Sequence, residues 1–272
     1  MRIGDGQIDL AQSIPANQNV PNARLPDMYG TPGGGPEVSG LPEICRVAGT
    51  LRPEAGSDIR FEVWLPANTW NGRFFGVGNG GFAGSLSYME MAQAVRGGNA
   101  VATTDTGHSG GATDSEWARD NPAKVRDYGW RAVHLTTVAA KSIAAAYYGE
   151  VPRNSYFMAC SNGGRQALME ASRFPADYDG IIAGAPASDF AALITSMIAT
   201  QHALSKDGAG LKLSQLDFIQ SSVLTQCDAL DGQLDRLVDD PRRCKLDFDR
   251  LSCSNSDSSE CLSEQQVSAL KA

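Results

Sequence analysis

Between Ile44 and Ala187, short apolar runs alternate with segments of helical composition. Arg60 to Leu65 alternates polar and apolar side chains, the two-residue period of a strand. Arg73 to Val77 is a short apolar run before glycines, and Val101 to Thr104 is another that ends at Asp105. Leu86 to Arg96 and the Ala-rich stretch Arg131 to Tyr148 have helical composition. Ser155 to Ala159 predicts a strand, Gly164 to Arg173 a helix and Gly180 to Ala183 a further strand. Short buried-type strands alternating with helices predict an α/β domain, residues 41–190, built on a largely parallel sheet. Residues 1–40 are rich in Gly, Pro and Asn without periodicity, and read as an irregular N-terminal arm. After about Ser188 the texture changes. Leu193 to Leu204 and Leu213 to Cys227 are helical, and the loop-rich stretch from Cys227 to Cys261 carries four cysteines. Residues 191–272 read as the start of a lid laid over the α/β core.

Composition removes two classes. Apolar residues make up 42% of the 272, enough to bury a core. The 31 acidic residues exceed the 23 basic ones for a net charge of −8, with no Lys/Arg-rich run, which argues against a nucleic-acid partner. The most apolar region, Gly180 to Ala203, is interrupted by Pro186 and Asp189 and falls short of a membrane span. The first residues lack the apolar segment of a secretory signal. At the other end, Ser263 with Gln266 three residues on fits a capping box, and the chain stops within the helix this opens, as a truncated chain would.

The most informative segment is Met158-Ala-Cys-Ser-Asn-Gly-Gly-Arg165, where a strand runs into Ser161 and a helix starts directly behind it. So tight a turn needs tiny residues two before and two after the serine, and these are Ala159 and Gly163. That meets the steric demand of the G-x-S-x-G nucleophile elbow, with Ala for the first Gly; an ordinary strand–helix turn is the bland alternative. A second cluster, Gly76-Val-Gly-Asn-Gly-Gly-Phe-Ala-Gly84, also follows a strand. In a serine hydrolase it would supply the second N–H of an oxyanion hole. Gly76, Gly78 and Gly81 also fit G-x-G-x-x-G, with Asp105 placed as the ribose acid of a dinucleotide-dependent oxidoreductase. Asp228, Asp231 and Asp235 around Gly232, with Asp239 and Asp240 behind, offer hard oxygen donors at short spacing. They suit Ca²⁺ without matching an EF-hand, and a solvated acidic loop is the alternative.

The elbow and its continuation through Phe174-Pro-Ala-Asp-Tyr-Asp-Gly-Ile-Ile-Ala-Gly-Ala-Pro-Ala187 strongly resemble the tannase and feruloyl esterase family, which includes the mono(2-hydroxyethyl) terephthalate hydrolases. The resemblance runs from about Cys45 to Ala272, through Thr104-Asp-Thr-Gly-His108 and Cys227-Asp-Ala-Leu-Asp-Gly232. It implies a secreted or periplasmic α/β-hydrolase with a large lid, cleaving small-molecule esters of aromatic acids such as ferulate, gallate or terephthalate. Ser161 is then the nucleophile, and the N–H groups of Asn162 and of Gly80 or Gly81 form the oxyanion hole. The family's triad Asp and His lie downstream of the lid. A Cys directly after that His pairs with the Cys before the nucleophile, here Cys160. None of His108, His134 and His202 matches that His-Cys pair, and the first two read as structural. A catalytically inactive, calcium-binding remnant of the same fold is the competing account.

The resemblance further implies a structural Ca²⁺ held by the carboxylates of Asp228, Asp231 and Asp235 and by backbone carbonyls at Gln233 and Leu237. Arg236 departs from the glycine usual there. It also implies disulfides Cys227–Cys244 and Cys253–Cys261, which suit an oxidising compartment. No C-x-x-C spacing supports zinc. Cys45 keeps no assigned partner, and a Cys45–Cys160 bond would run against the family arrangement.

Overall fold

The computed structural model describes residues 2–3, 6–25, 34–253 and 261–272. The chain divides after Ser188 into two units.

The first unit carries one eight-stranded sheet. Its strands are β1 (Arg2–Ile3), β2 (Gly6–Ile14), β3 (Ile44–Leu51), β4 (Ile59–Pro66), β5 (Arg73–Val77), β6 (Ala100–Thr104), β7 (Asn154–Cys160) and β8 (Gly180–Gly184). They lie in the order β1-β2-β3-β4-β6-β5-β7-β8. Pairing is antiparallel from β1 through β4 to β6, and parallel from β6 through β5 and β7 to β8. Six of the eight strands therefore point one way, and only β2 and β4 oppose them. The chain leaves β5 for β6 on one side and later returns as β7 on the other. That reversal is a topological switch point, where the loops beyond the strand ends spread apart and make room for a ligand. Val77 is in register with Met158, so the glycine loop and the serine turn leave the sheet from adjacent strand ends.

The helices are α1 (Tyr88–Arg96), α2 (Pro122–Arg126), α3 (Ala132–Tyr148) and α4 (Asn162–Arg173), with a single π turn over Asp127–Arg131 joining α2 to α3. Buried alanines and branched residues of α3, with Ala167 of α4, pack on Phe61, Val63, Leu65, Phe74 and Phe157 on one face of the sheet. Met91, Ala92 and Val95 of α1 pack on Trp64, Val77 and Val101 on the other. Gly149 ends α3 with φ +76, a left-handed cap that glycine adopts without strain.

Among the described residues of the arm expected over 1–40, the first part is not irregular. Gly6–Ile14 is a nine-residue strand paired along its length with β3. Its own residues are mostly exposed, so no buried period marks it, and long-range pairing alone makes it a strand. Val20, Ala23, Val38 and Leu41 beyond it are buried in the second core cluster, so this segment roofs that face. The roof explains a second departure. The alternation in β4 suggests one solvated face, yet Glu62 and Trp64 are both buried. Glu62 is satisfied there by Arg46 at 2.5 and 2.9 Å, by the Trp64 indole N–H at 2.8 Å and by the Tyr88 hydroxyl at 2.9 Å. Burying such an ion pair is tolerable only when its hydrogen bonds are complete.

The second unit contains α5 (Phe190–Leu204), α6 (Leu213–Cys227) and α7 (Glu264–Lys271). Leu251, Leu262 and Val267 form its small buried cluster, with Phe218 and Phe248 against them. The Ser263 hydroxyl accepts the Gln266 N–H at 3.2 Å and the Gln266 carboxamide accepts the Ser263 N–H at 3.0 Å, the capping box expected at α7. Disulfides Cys227–Cys244 and Cys253–Cys261 are both formed. They compensate for a core too small to carry the unit alone. No helix among the described residues is long and apolar enough to cross a membrane.

Candidate active site

Ser161 lies between the end of β7 and the first residue of α4 with φ +61 and ψ −121, a conformation that costs a non-glycine residue about 1–3 kcal/mol. Three backbone bonds hold it there. The Ser161 N–H donates to the Gly184 carbonyl at 3.0 Å, and the Ser161 carbonyl accepts from Arg165 at 3.1 Å and Ala187 at 3.2 Å. The small neighbours required by the sequence argument touch one another: a Cβ on Gly163 would stand 2.5 Å from Cβ of Ala159. Ser161 is exposed, and among the described residues its hydroxyl makes no hydrogen bond.

The N–H groups of Asn162, Gly80 and Gly81 likewise have no hydrogen-bond partner among the described residues. Gly80 faces open space, whereas Gly81, at φ +55, packs against Ala112. The glycine loop rests on the elbow itself, since a Cβ on Gly78 would come 3.0 Å from Cα of Gly163. An unpaired N–H at the start of α4 and others on the adjoining glycine loop can stabilise the carbonyl oxyanion of a tetrahedral adduct on an exposed, strained serine.

Four residues escape sequence reasoning. Asn79 sits buried inside the glycine loop, its N–H donating to Gln166 Oε1 at 3.2 Å while Gln166 Nε2 returns a bond to Asn79 Oδ1 at 2.7 Å. The wholly buried side chain of Asn162 donates to the Asn79 carbonyl at 3.2 Å. Its Oδ1 accepts from Arg165 Nε and from the Tyr128 hydroxyl, each at 2.8 Å. Tyr128 also stands 3.0 Å from the Gly81 carbonyl. The π turn places Tyr128, and Arg165 caps the turn's carbonyls at Tyr128 and Gly129 with bonds of 3.0 and 2.9 Å. A π turn inside a helix commonly marks a site where side chains are re-aimed. None of these residues stands in a periodic pattern, which is why the chain alone does not reveal them.

Both histidines of this unit are committed elsewhere. His108 Nε2 is 2.7 Å from the Phe82 carbonyl and its ring stacks on Trp117, with burial pushing its pKa down. His134 Nδ1 is 2.7 Å from Asp177 and its ring stacks on Phe174. His134, Glu170 and Asp177 bring three ligating atoms within 4.8 Å of one another. Glu170 is wholly buried; burial first, and then the Asp177 charge, hold its carboxyl well above the usual carboxylate range. Both Glu170 oxygens are buried without a hydrogen-bond partner, and the Lys141 ammonium, bonded to the Asp177 carbonyl, brings a positive charge to the cluster. His202 lies in α5 of the second unit.

The dinucleotide reading of Gly76, Gly78 and Gly81 fails on geometry. The helix that should open at those glycines begins only at Tyr88. Asp105, the supposed ribose acid, is buried and spends Oδ1 on the N–H groups of Arg60 and Gly107 at 3.0 and 2.8 Å. Burial pushes its carboxyl up to about 7 despite those bonds. A Cys45–Cys160 disulfide is also excluded. β4, β6 and β5 lie between their strands, a separation of roughly 19 Å at the usual strand spacing, far beyond disulfide reach. Cys160 is exposed and free, and Cys45 is half-buried and free.

In the second unit, Asp228, Asp231 and Asp235 each use one carboxylate oxygen to accept a nearby backbone N–H, from Arg236 at 2.9 Å, Gln233 at 2.8 Å and Leu237 at 3.1 Å. Each keeps a second oxygen for another partner. The three carboxylates do not converge within 4.8 Å of one another as His134, Glu170 and Asp177 do. The donor set is all hard oxygen on one short loop, which is calcium's ligand chemistry, with the carboxylates not gathered around one point. Arg236 has φ +68, the backbone conformation glycine takes most easily, so the departure at this position is one of strain rather than of ligand chemistry.

Comparison with known proteins gives this arrangement a lineage. A feruloyl esterase B from Aspergillus oryzae superposes on the whole chain with a TM-score of 0.85 at 31% identity, the chain covering 54% of that structure. Tannin acyl hydrolase from Aspergillus niger, at 23% identity and a TM-score of 0.70 over 99% of the chain and 51% of its own length, shares the fold. Among curated sequences, an uncharacterized esterase of Xanthomonas campestris pv. campestris is 40% identical over 97% of the chain and 46% of its own length. A probable feruloyl esterase B-2 of Aspergillus flavus is 40% identical over 84% of the chain and 44% of its own length. The chain thus spans about half the length of the relatives it matches. Its structural neighbours are esterases of α/β-hydrolase type, and the family model described as tannase and feruloyl esterase matches residues 45–272. The fold, the matched length and the identity to these esterases agree, and the chain belongs to the tannase and feruloyl esterase family.

Proposed function

We propose that this chain carries the nucleophile and oxyanion hole of a serine carboxylic-ester hydrolase acting on esters of aromatic, phenolic-type acids such as ferulate, gallate or terephthalate. The observation that carries the reading is Ser161, exposed and strained at the switch point beside three unpaired N–H groups. In the first step the Ser161 hydroxyl oxygen bonds to the ester carbonyl carbon while its proton passes to a base. The carbonyl oxygen gains negative charge facing the N–H groups of Asn162 and of Gly80 or Gly81, each such donor contributing about 3–4 kcal/mol. Collapse breaks the bond to the alkoxy oxygen, which leaves with the proton; water then repeats the sequence on the acyl-enzyme and releases the acid. His108 and His134 are bonded elsewhere, so the base expected from the family is the downstream histidine, with Cys160 paired to the cysteine after it.

Strain at Ser161 favours an active site over an inactive remnant, because strained backbone concentrates at functional turns. The test is hydrolysis by the full-length protein of methyl ferulate, methyl gallate and mono(2-hydroxyethyl) terephthalate beside an aliphatic ester of equal solubility. Turnover of at least one aromatic ester well above the aliphatic one supports the reading; turnover of none overturns it.

The same reading includes a structural Ca²⁺ bound by Asp228, Asp231 and Asp235 with the Gln233 and Leu237 carbonyls, where it would cross-link a loop already closed by Cys227–Cys244. An ion bound only by the folded state stabilises it by mass action, about 2.7 kcal/mol when free calcium is a hundredfold above Kd. Chelation is therefore expected to lower the melting temperature by several degrees and added calcium to restore it, while Asp231→Asn loses the response. An unchanged melt removes the ion. Disulfides suit an oxidising compartment, and we place the protein outside the cytoplasm.

A further inference from the structure

The two sides of the oxyanion hole come from segments about eighty residues apart, the glycine loop after β5 and the start of α4. What sets their spacing is a closed hydrogen-bond circuit, and every bond in it has only one direction available. Arg165 can only donate, so Asn162 Oδ1 accepts and its amide nitrogen faces the Asn79 carbonyl. The Asn79 backbone N–H can only donate, so Gln166 Oε1 accepts and Gln166 Nε2 faces Asn79 Oδ1. Asn79 Nδ2 then donates to the Thr104 carbonyl at 2.7 Å, tying the loop to the end of β6 as well. The circuit is buried: Asn162 is wholly inaccessible and Gln166 is 2% exposed. Flipping any one amide would face donor with donor or acceptor with acceptor, which in a buried network costs more than the bond itself.

We infer that Gln166 and Tyr128 are positioning residues for the oxyanion hole, with Gln166 fixing the glycine loop against α4 through Asn79 and Tyr128 sharing its single O–H between Asn162 Oδ1 and the Gly81 carbonyl. Neither side chain touches the reacting atoms. Gln166 bonds both the backbone and the side chain of the residue that precedes Gly80, so its loss frees the loop to move relative to Asn162. Tyr128 holds the carbonyl of Gly81, in the peptide whose Phe82 N–H is bonded to Ala112, and so anchors the loop directly after the Gly80 and Gly81 donors. Displacing one donor by about 1 Å is enough to lose up to a hundredfold in rate. Arg165, covering the ring of Tyr128 at 4.6 Å and bonding two π-turn carbonyls, is spent on holding Tyr128 and is unavailable to substrate.

This inference rests on Ser161 being the nucleophile, and its test separates the two claims. In the full-length enzyme, Gln166→Met keeps the side-chain length and removes the bonds, and Tyr128→Phe keeps the ring and removes one hydroxyl. Each is compared with wild type for kcat, KM and inhibition by phenylboronic acid, whose tetrahedral serine adduct needs the oxyanion hole as the transition state does. We expect kcat to fall about 10- to 100-fold in Gln166→Met and about tenfold in Tyr128→Phe, with KM within about threefold. The boronate inhibition constant should rise by the same factor as kcat falls. A purely structural role would lower the melting temperature without that proportionality. Variants that fold and keep wild-type kcat, or lose kcat without weakening the boronate, overturn the positioning role alone. A wild-type protein that neither turns over esters nor binds boronate overturns both claims.

Discussion

Ser161→Ala in the full-length protein is expected to abolish aryl-ester hydrolysis, a loss of about a millionfold in kcat, because removing the attacking oxygen leaves only binding and the oxyanion donors. Retention of even a tenth of the rate would overturn the assignment of the nucleophile. Stability should report on the same residue independently. Alanine keeps a Cβ at φ +61 and so keeps the strain, whereas glycine adopts that conformation freely. Ser161→Gly is therefore expected to unfold at higher denaturant than Ser161→Ala, by about 1 kcal/mol or more, although both are inactive. Equal stabilities would mean that the turn is not under strain.

Gly164→Ala should be nearly as damaging through packing alone. A Cβ there would lie 2.8 Å from Cα of Pro186 and 3.1 Å from its Cβ, and would also press on the Gly184 carbonyl. These neighbours are backbone or ring atoms and cannot swing aside. The Gly184 carbonyl is the acceptor of the Ser161 N–H, and the Ala187 N–H holds the Ser161 carbonyl, so retreat of this segment undoes two of the three bonds that keep the elbow closed. We expect a loss of about 1–3 kcal/mol in stability, as for an overpacked core site. The rate should fall at least a hundredfold, as for a misplaced nucleophile. Chemical denaturation and steady-state kinetics on the same preparation check both figures. A neutral substitution would show that the strand end after β8 can yield, and that the elbow does not depend on it.

These two positions differ in how far the chain announces them. The elbow is legible because its cause is local. A strand that turns at once into a helix leaves no room for side chains on either side of the serine, and Ala159 and Gly163 satisfy that demand within five residues. The capping box at Ser263 and Gln266 is legible for the same reason, since each partner lies within one helical turn of the other. The strands from β4 to β8 follow from short alternating or apolar runs bounded by glycines and turn residues.

Other features depend on atoms that meet only after the chain has folded. β2 is mostly exposed and becomes a strand by pairing with β3, and the segment after it then buries Glu62 and Trp64 on a face the alternation left open to water. The register of β5 against β7 sets the glycine loop beside the serine, and the strand order, with three strands between β3 and β7, rules out a bond between Cys45 and Cys160. Which glycine N–H groups stay unpaired is decided by Ala112, Tyr128 and Asn79 taking up the groups around them. The sequence by itself determined the α/β class, the tight turn at Ser161 and the resemblance to an esterase family, because steric and periodic constraints act over a few residues. Only the tertiary structure decided the roofed sheet face, the commitment of His108, His134 and Asp105 to structural partners, and the circuit through Gln166. A hydrogen bond between residues 79 and 166 leaves no period and no spacing in the chain that makes it.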